Sequence, residues 1–97
     1  MDLTNNTQLL DLVARLRVLV PTLTADLYKA WVSVASHHKL NIVFIGGVEL
    51  HLGYLPRSGR FSGWAVGDNS GNEWLLLATE EDVIMMDSIT RWAFPNS

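Results

Sequence analysis

The stretch Val48–Phe94 decides the fold class, because short apolar segments alternate there with clusters of turn-forming residues. The segments and clusters read, in order, VELHLGYL, PRSG, RFSGWAVG, DNSGN, EWLLLAT, EED and VIMMDSITRWAF. Runs of this length, bounded by Gly, Pro, Asn and Asp, are typical of antiparallel strands. We therefore predict a small antiparallel sheet or barrel over this part of the chain.

Six strands are predicted in all, and the turns between them have recognisable chemistry. The predicted strands are Asn41–Ile45, Val48–Tyr54, Phe61–Gly67, Trp74–Ala78, Val83–Met86 and Ile89–Phe94. The pair Gly46-Gly47 is a strong signal for a tight hairpin, because glycine adopts positive φ without strain. The segment Asp68–Asn72 predicts another turn for the same reason, since Asp, Asn and Gly all tolerate positive φ.

Residues 1–39 are predicted to form a helical hairpin. The first helix has an apolar stripe at helical spacing, made of Leu9, Leu12, Val13, Leu16, Leu19 and Val20. Thr7 or Asn6 would cap the start of this helix, and Pro21 would end it. A second stripe of Leu27, Trp31, Val34 and Ala35 predicts another helix that ends near Lys39.

The composition fits one folded domain of 97 residues, in which apolar residues make up 48% and charged residues 18%. The predicted fold class is α+β, with the helical hairpin (1–39) followed by a five- or six-stranded antiparallel sheet or barrel (40–97). There is no cysteine. Disulfides, thiolate nucleophiles and cysteine-based zinc sites are therefore excluded.

The two halves of the chain differ in charge. Residues 48–97 carry three bases and seven acids. An acidic sheet disfavours non-specific binding to nucleic acid unless the bases cluster in space. The chain opens on MDLTNN, which is not the basic-then-apolar start of a secretion signal, and has no apolar run long enough to span a membrane. We expect a cytoplasmic protein that does not interact with membranes.

Two short patterns lie within the predicted strands. Asp68 and Asn72 are separated by three residues, follow a glycine-containing strand and precede an apolar strand that ends at Ala78. Farther along, Val83–Ile89 begins apolar and ends in Asp, Ser and Ile. Together these patterns resemble the two motifs of the Sm/LSm family of small RNA-associated barrels, over residues 48–94.

The resemblance implies an SH3-like barrel that assembles into a ring and binds single-stranded RNA. The loops around Asn72 and Asp87 would hold a base. Family rings form when the fourth and fifth strands of neighbouring subunits pair. This pairing would assign to the subunit interface the residues Met85, Ile89, Trp92 and Phe94.

One departure from the family weakens the expectation of base binding. Met85 and Met86 stand where the Arg-Gly of the second motif would sit. Without that arginine and an aromatic platform, the stacking and cation–π contributions to base binding are reduced. Trp92 fits an interface or a place in the core equally well.

Candidate binding residues outside the resemblance are few. Arg57 and Arg60 flank a turn and are suited to contact phosphate. Glu49 and His51 share a strand face and would be the start of a metal or small-molecule site, but no third ligand is visible by spacing. No spacing of Ser, His and Asp matches a catalytic motif. We therefore predict no enzyme activity, metal or cofactor.

The predicted function is a self-associating binding or assembly module that forms a homo-oligomer and binds single-stranded RNA. Asn72, Asp87, Arg57 and Arg60 are its candidate RNA contacts. The alternative is a protein-interaction module, an adaptor or inhibitor, that docks through an acidic sheet face and exposed aromatic residues. A pocket enzyme built on Glu49 and His51 is a third class, with no other feature in its favour.

Overall fold

The chain forms a five-stranded antiparallel sheet with an α-helix before it and another after it. A computed structural model describes residues 3–34, 38–57 and 60–93. The elements are a short 3₁₀ helix (Leu3–Asn5), α1 (Thr7–Leu19), β1 (Leu27–Val34), β2 (His38–Phe44), β3 (Glu49–Arg57), β4 (Arg60–Asp68), β5 (Glu73–Leu77) and α2 (Glu80–Ala93). Neighbouring strands pair in the order β1-β2-β3-β4-β5. This meander confirms the α+β class.

Helix α1 begins and ends where the sequence predicts. The Asn6 side chain caps it by accepting a hydrogen bond from the Leu9 N–H at 3.0 Å. At the other end, the Val20 N–H donates to the Leu16 carbonyl at 2.8 Å, directly before Pro21. Its buried residues are Leu9, Leu12, Val13 and Leu16, which form the predicted stripe.

The turns of the meander depend on glycine. Gly46 and Gly47, between β2 and β3, have φ values of 97° and 90°, and Gly71, between β4 and β5, has a φ of 88°. Residues with a Cβ rarely adopt such values, so these glycines allow the short connections that keep the strands adjacent. Four of the predicted strands therefore occur, as β2 to β5, with shifted ends.

One face of the sheet carries the core, and we call it the inner face. Its buried side chains are Leu40, Ile42, Phe44, Leu50, Leu52, Trp64 and Val66. The 3₁₀ helix and both α-helices contribute to the same cluster through Leu3, Leu9, Leu12, Val13, Leu16, Met85, Met86 and Ile89. Burying this many large apolar side chains is the main source of stability in a domain of this size.

The predicted second helix of the hairpin is not present. Residues 27–34 form β1, which pairs antiparallel with β2 in a register that includes Trp31 opposite Asn41. Tyr28, Trp31, Val32 and Val34 are aromatic or β-branched, and such residues favour a strand whenever a neighbouring strand is available to pair. The Leu27/Trp31/Val34 spacing matched a helix by coincidence of a short apolar pattern.

The two strands predicted over Val83–Met86 and Ile89–Phe94 are also wrong. Residues 80–93 form α2, whose buried side chains Asp82, Met85, Met86 and Ile89 recur at helical spacing. An apolar run as short as VIMM does not distinguish a strand from a buried helical segment. Consequently the sheet lacks the last two predicted strands, and the expected barrel is not confirmed, because β1 and β5 remain separate edges.

Candidate interaction surface

The second face of the sheet, the outer face, lies opposite the core. All helices in the described part of the chain contribute to the inner face, so none of them covers the outer one. The strand registers arrange the outer face in rows: Ser33, Lys39, Gly53, Ala65 and Leu75 form one, and Trp31, Asn41, His51, Gly67 and Glu73 form the next. This face is therefore the larger surface available for binding.

The outer face is not acidic, contrary to the expectation from the sequence. Its described charged residues are Lys29, Lys39, Glu49 and Glu73, two of each sign. Three other acids, Glu80, Glu81 and Asp82, lie in the first turn of α2, where they complement the helix dipole. The acidic balance of the second half of the chain is thus partly a property of a helix terminus.

A shallow groove of about 590 Å³ crosses the middle of the outer face. Gly53, Ala65 and Gly67 form its floor, because their small side chains leave the surface low. Lys39 and His51 border one side, and Glu73 and Leu75 border the other. The groove has a mixed apolar and polar lining and no cluster of like charges, which fits neither a polyanion nor a metal ion.

A chain of polar side chains runs across β1, β2 and β3 beside the groove. The Asn41 amide donates to the Ser33 hydroxyl at 3.1 Å, and Asn41 Oδ1 lies 3.0 Å from His51 Nδ1. Asn41 is 6% exposed although it lies on the outer face. Since each of its polar atoms has a partner, this buried amide is satisfied and serves to hold three strands together.

His51 and Glu49 do not form a metal site. His51 Nε2 lies 3.8 Å from Glu49 Oε1, which is an ion pair when the histidine is protonated. Within residues 3–34, 38–57 and 60–93, no three His, Asp or Glu side chains are grouped so that they could hold a metal ion. Two ligands on an open strand face are too few for a tetrahedral or octahedral site.

The free edge of β5 is the second feature of this surface. The Asp68 N–H donates to the Asn72 carbonyl at 3.1 Å, and the Ala78 N–H donates to the Ser62 carbonyl at 3.2 Å. In an antiparallel ladder the residues bonded to the neighbouring strand alternate. Trp74 and Leu76 therefore bond to β4, whereas the main chains of three other residues point away from β4, namely Glu73, Leu75 and Leu77.

The side chains of β5 make this edge apolar. Leu75 is 73% exposed and Leu77 is 83% exposed on the outer face, while Trp74 and Leu76 pack against the core. A straight edge with exposed leucines is a template for pairing with another strand. The one contact to the outward main chain is from Arg15, whose Nη1 donates to the Leu77 carbonyl at 3.4 Å.

The candidate RNA residues do not come together. Arg57 and Arg60 are opposite each other at the ends of β3 and β4, and their side chains lie outside the described residues. Asn72 lies beyond the other end of β4, and nine residues of strand span about 26 Å at roughly 3.3 Å per residue. Asp87 lies on α2, exposed and paired with Arg91 at 2.6 Å.

Asn72 has a local role in the turn between β4 and β5. Its side-chain amide donates to Asp68 Oδ2 at 2.9 Å, and its backbone N–H donates to Asp68 Oδ1 at 2.8 Å. These bonds favour the charged carboxylate, the side-chain bond from Asn72 most strongly, and hold the pKa of Asp68 below its ordinary value. The motif that resembles the Sm/LSm family therefore closes a hairpin in this chain.

The residues predicted at a subunit interface also separate. Met85 and Ile89 are 1% and 2% exposed and belong to the core, since α2 turns them towards the sheet. Trp92 is 56% exposed near the end of α2, so its place at an interface stays a prediction. Phe94 lies outside the described residues. Pairing through the two predicted C-terminal strands is excluded, because the segment is helical.

Asp82 is a residue whose role the sequence analysis missed. It is 1% exposed, and Oδ2 accepts bonds from the Thr79 N–H at 2.9 Å and from Trp64 Nε1 at 3.2 Å, while Oδ1 pairs with Arg15. The Asp82 N–H donates in turn to the Thr79 hydroxyl at 3.2 Å. This capping box, written Thr-Glu-Glu-Asp in the sequence, was the available signal for the start of α2.

Comparison with other proteins identifies no relative of this chain. No family model matches it, and neither curated proteins nor solved structures give a match. The Sm/LSm resemblance therefore stays a prediction. Neither α1 nor α2 is long and apolar enough to cross a membrane, a finding limited to the described parts of the chain.

Proposed function

We propose that this chain is a non-enzymatic assembly module that accepts an additional strand at the free edge of β5. The observation that supports this function is the combination of outward main-chain groups at Glu73, Leu75 and Leu77 with exposed leucine side chains at two of those positions. Natural edge strands of soluble proteins usually carry charges, bulges or prolines that prevent pairing. In β5 the only charged residue is Glu73 at its start.

The chemistry of strand addition suits this edge. An added antiparallel strand would satisfy the outward N–H and C=O groups and would bring apolar side chains beside Leu75 and Leu77. Main-chain hydrogen bonds would supply affinity, and the side chains on alternate positions would supply selectivity. No titrating or nucleophilic group is required for this function, in agreement with the prediction that the chain is not an enzyme.

A labelled peptide tests whether the edge accepts a strand. The peptide NEWLLLA, residues 72–78, reproduces β5 and should bind the native protein in a fluorescence anisotropy titration. Leu77→Lys should weaken binding by about tenfold, because it places a charge at the apolar edge. Val18→Lys is the matched control, since Val18 is also 83% exposed but lies on α1. Equal binding by both variants, or no binding to the native protein, would reject the function.

RNA binding is a second candidate, which one observation favours. The register of β3 and β4 places Arg57 opposite Arg60, and such a pair would offer two guanidinium groups to one phosphate. Replacing both arginines by serine should weaken binding to a short single-stranded RNA and reduce its salt dependence by about one logarithmic unit per lost contact. Affinity that does not change across a salt titration would reject this role.

A further inference from the structure

We infer that the strand added to β5 is the β5 of a second copy, paired antiparallel about a two-fold axis with Leu75 opposite Leu75. The inference rests on the proposed function and names its partner. Two copies joined in this way would form one continuous sheet of ten strands, five from each copy. Both outer faces would lie on the same side of that sheet, and the helices of both copies on the other.

The hydrogen-bonding pattern of β5 is self-complementary in this register. The outward residues Glu73, Leu75 and Leu77 are spaced by two and are symmetric about Leu75. Antiparallel pairing therefore places Glu73 opposite Leu77 of the second copy and Leu75 opposite its own equivalent. Each such pair exchanges two main-chain hydrogen bonds. The Leu77 carbonyl can accept one of them while it keeps its bond from Arg15, because a carbonyl oxygen has two lone pairs.

Registers displaced by two residues lose a pair of bonds. A shift in one direction would place Thr79 opposite Glu73, but the Thr79 N–H already donates to Asp82 and its carbonyl accepts from Val83. A shift in the other direction would place Gly71 opposite Leu77, but Gly71 lies in the β4–β5 turn with a φ of 88°. The register centred on Leu75 uses only residues of β5.

The side chains favour the same register. Leu75 would contact its equivalent directly, and Leu77 would lie beside the aliphatic part of Glu73, so both exposed leucines would be partly buried. The two Glu73 carboxylates would be four residues apart along the strands, about 13 Å at 3.3 Å per residue. Like charges directly opposite each other in a sheet are destabilising, and this arrangement avoids them.

The expected dimer is weak, because one five-residue strand provides a small contact. Its formation should therefore depend on protein concentration. Light scattering of the native protein should show a mass that rises from one copy to two and does not increase further, since a two-fold contact closes on itself. Leu77→Lys should remain monomeric at concentrations where Val18→Lys behaves like the native chain.

Cysteine cross-linking tests the register, and the chain has no cysteine of its own to interfere. Under mild oxidation, Leu75→Cys should form a disulfide-linked dimer, since opposite residues of a hydrogen-bonded pair have Cα atoms about 5.5 Å apart. Glu73→Cys should cross-link about tenfold less, because its equivalent lies beyond disulfide reach. The double variant Glu73→Cys/Leu77→Cys should cross-link again.

The outcomes separate this inference from the proposed function. If the native mass rises but Leu75→Cys cross-links no better than Glu73→Cys, the register is wrong. If the mass stays that of one copy at every concentration while the NEWLLLA peptide still binds, the second copy is excluded and strand addition at β5 stands. If neither association nor peptide binding occurs, both the partner and the function are rejected.

Discussion

The two faces of the sheet use the same strands for different purposes. On the inner face, side chains such as Trp64 and Ile42 are fully buried against the helices. On the outer face, the residues between them are small, polar or exposed, and no helix of the described chain lies over them. The difference shows that stability is concentrated on one face, so the other face and its β5 edge are free to change without unfolding the domain.

The largest expected effect comes from comparing a tryptophan on each face. Trp64 is 0% exposed, so Trp64→Ala should lower the free energy of unfolding by about 3–5 kcal/mol. Trp31 is half-buried on the outer face, and Trp31→Ala should cost about 1 kcal/mol. Urea denaturation of the two variants measures the difference. Equal losses would show that the outer face contributes to the core, contrary to the comparison.

A carboxylate pair gives the next largest contrast. Asp82→Ala leaves Arg15, Trp64 Nε1 and the Thr79 N–H without their shared acceptor, and should cost about 2–4 kcal/mol. Asp87→Ala on the same helix removes only an exposed ion pair with Arg91 and should cost less than about 0.5 kcal/mol. Thermal or urea unfolding tests both, and similar values would argue against the buried role of Asp82.

Asn41 is the outer-face residue for which we expect a measurable loss of stability. Asn41→Ala removes the bonds to the Ser33 hydroxyl and the His51 ring and should cost about 1 kcal/mol, since water can reach both partners. Lys39→Ala, an exposed position on the same face of β2, is the control and should have little effect. A loss as large as that of Trp64→Ala would place Asn41 among the core residues.

The smallest expected effect is a pH dependence at the β4–β5 turn. The folded pKa of Asp68 lies below its unfolded value, chiefly because of the Asn72 side-chain hydrogen bond. The stability that this carboxylate contributes is therefore present above the unfolded pKa and is lost as the pH falls through the folded pKa. Native protein should exceed Asp68→Asn in stability at neutral pH, and this difference should shrink in acid. A difference that is the same at both pH values would contradict the assignment.

Local signals were sufficient for the parts of the fold that depend on local interactions. The Asn6 cap, the Gly46-Gly47 hairpin and the Asp68–Asn72 turn were read from a few adjacent residues, and the structure confirms each of them. Helix caps and tight turns are decided by hydrogen bonds and φ values within about four residues. Neighbouring strands joined by such turns pair without further information.

Two segments were assigned the opposite secondary structure. Residues 27–34 were predicted as helix and form β1, whereas residues 83–93 were predicted as strands and lie in α2. Both carry short apolar patterns that fit either period, so their conformation depends on which surface is available to bury them. The Thr79–Asp82 capping box was the one local signal that would have corrected the second error.

The predicted site followed the predicted barrel and therefore separated when the barrel did not form. Asn72, Asp87 and the two arginines lie at different ends of the sheet or on a helix, and Met85 and Ile89 are in the core. Leu75 and Leu77, by contrast, looked in the sequence like a central strand covered on both sides. Only the strand order shows that β5 is an edge.

The amino-acid sequence alone establishes a single α+β domain, its first helix, a meander of four strands and the turns between them, because these depend on contacts between near neighbours. The tertiary structure decides that a fifth strand precedes the meander, that the chain ends in a helix over the inner face, and that β5 keeps a free apolar edge. Those features depend on residues far apart in the chain competing to bury the same apolar surface.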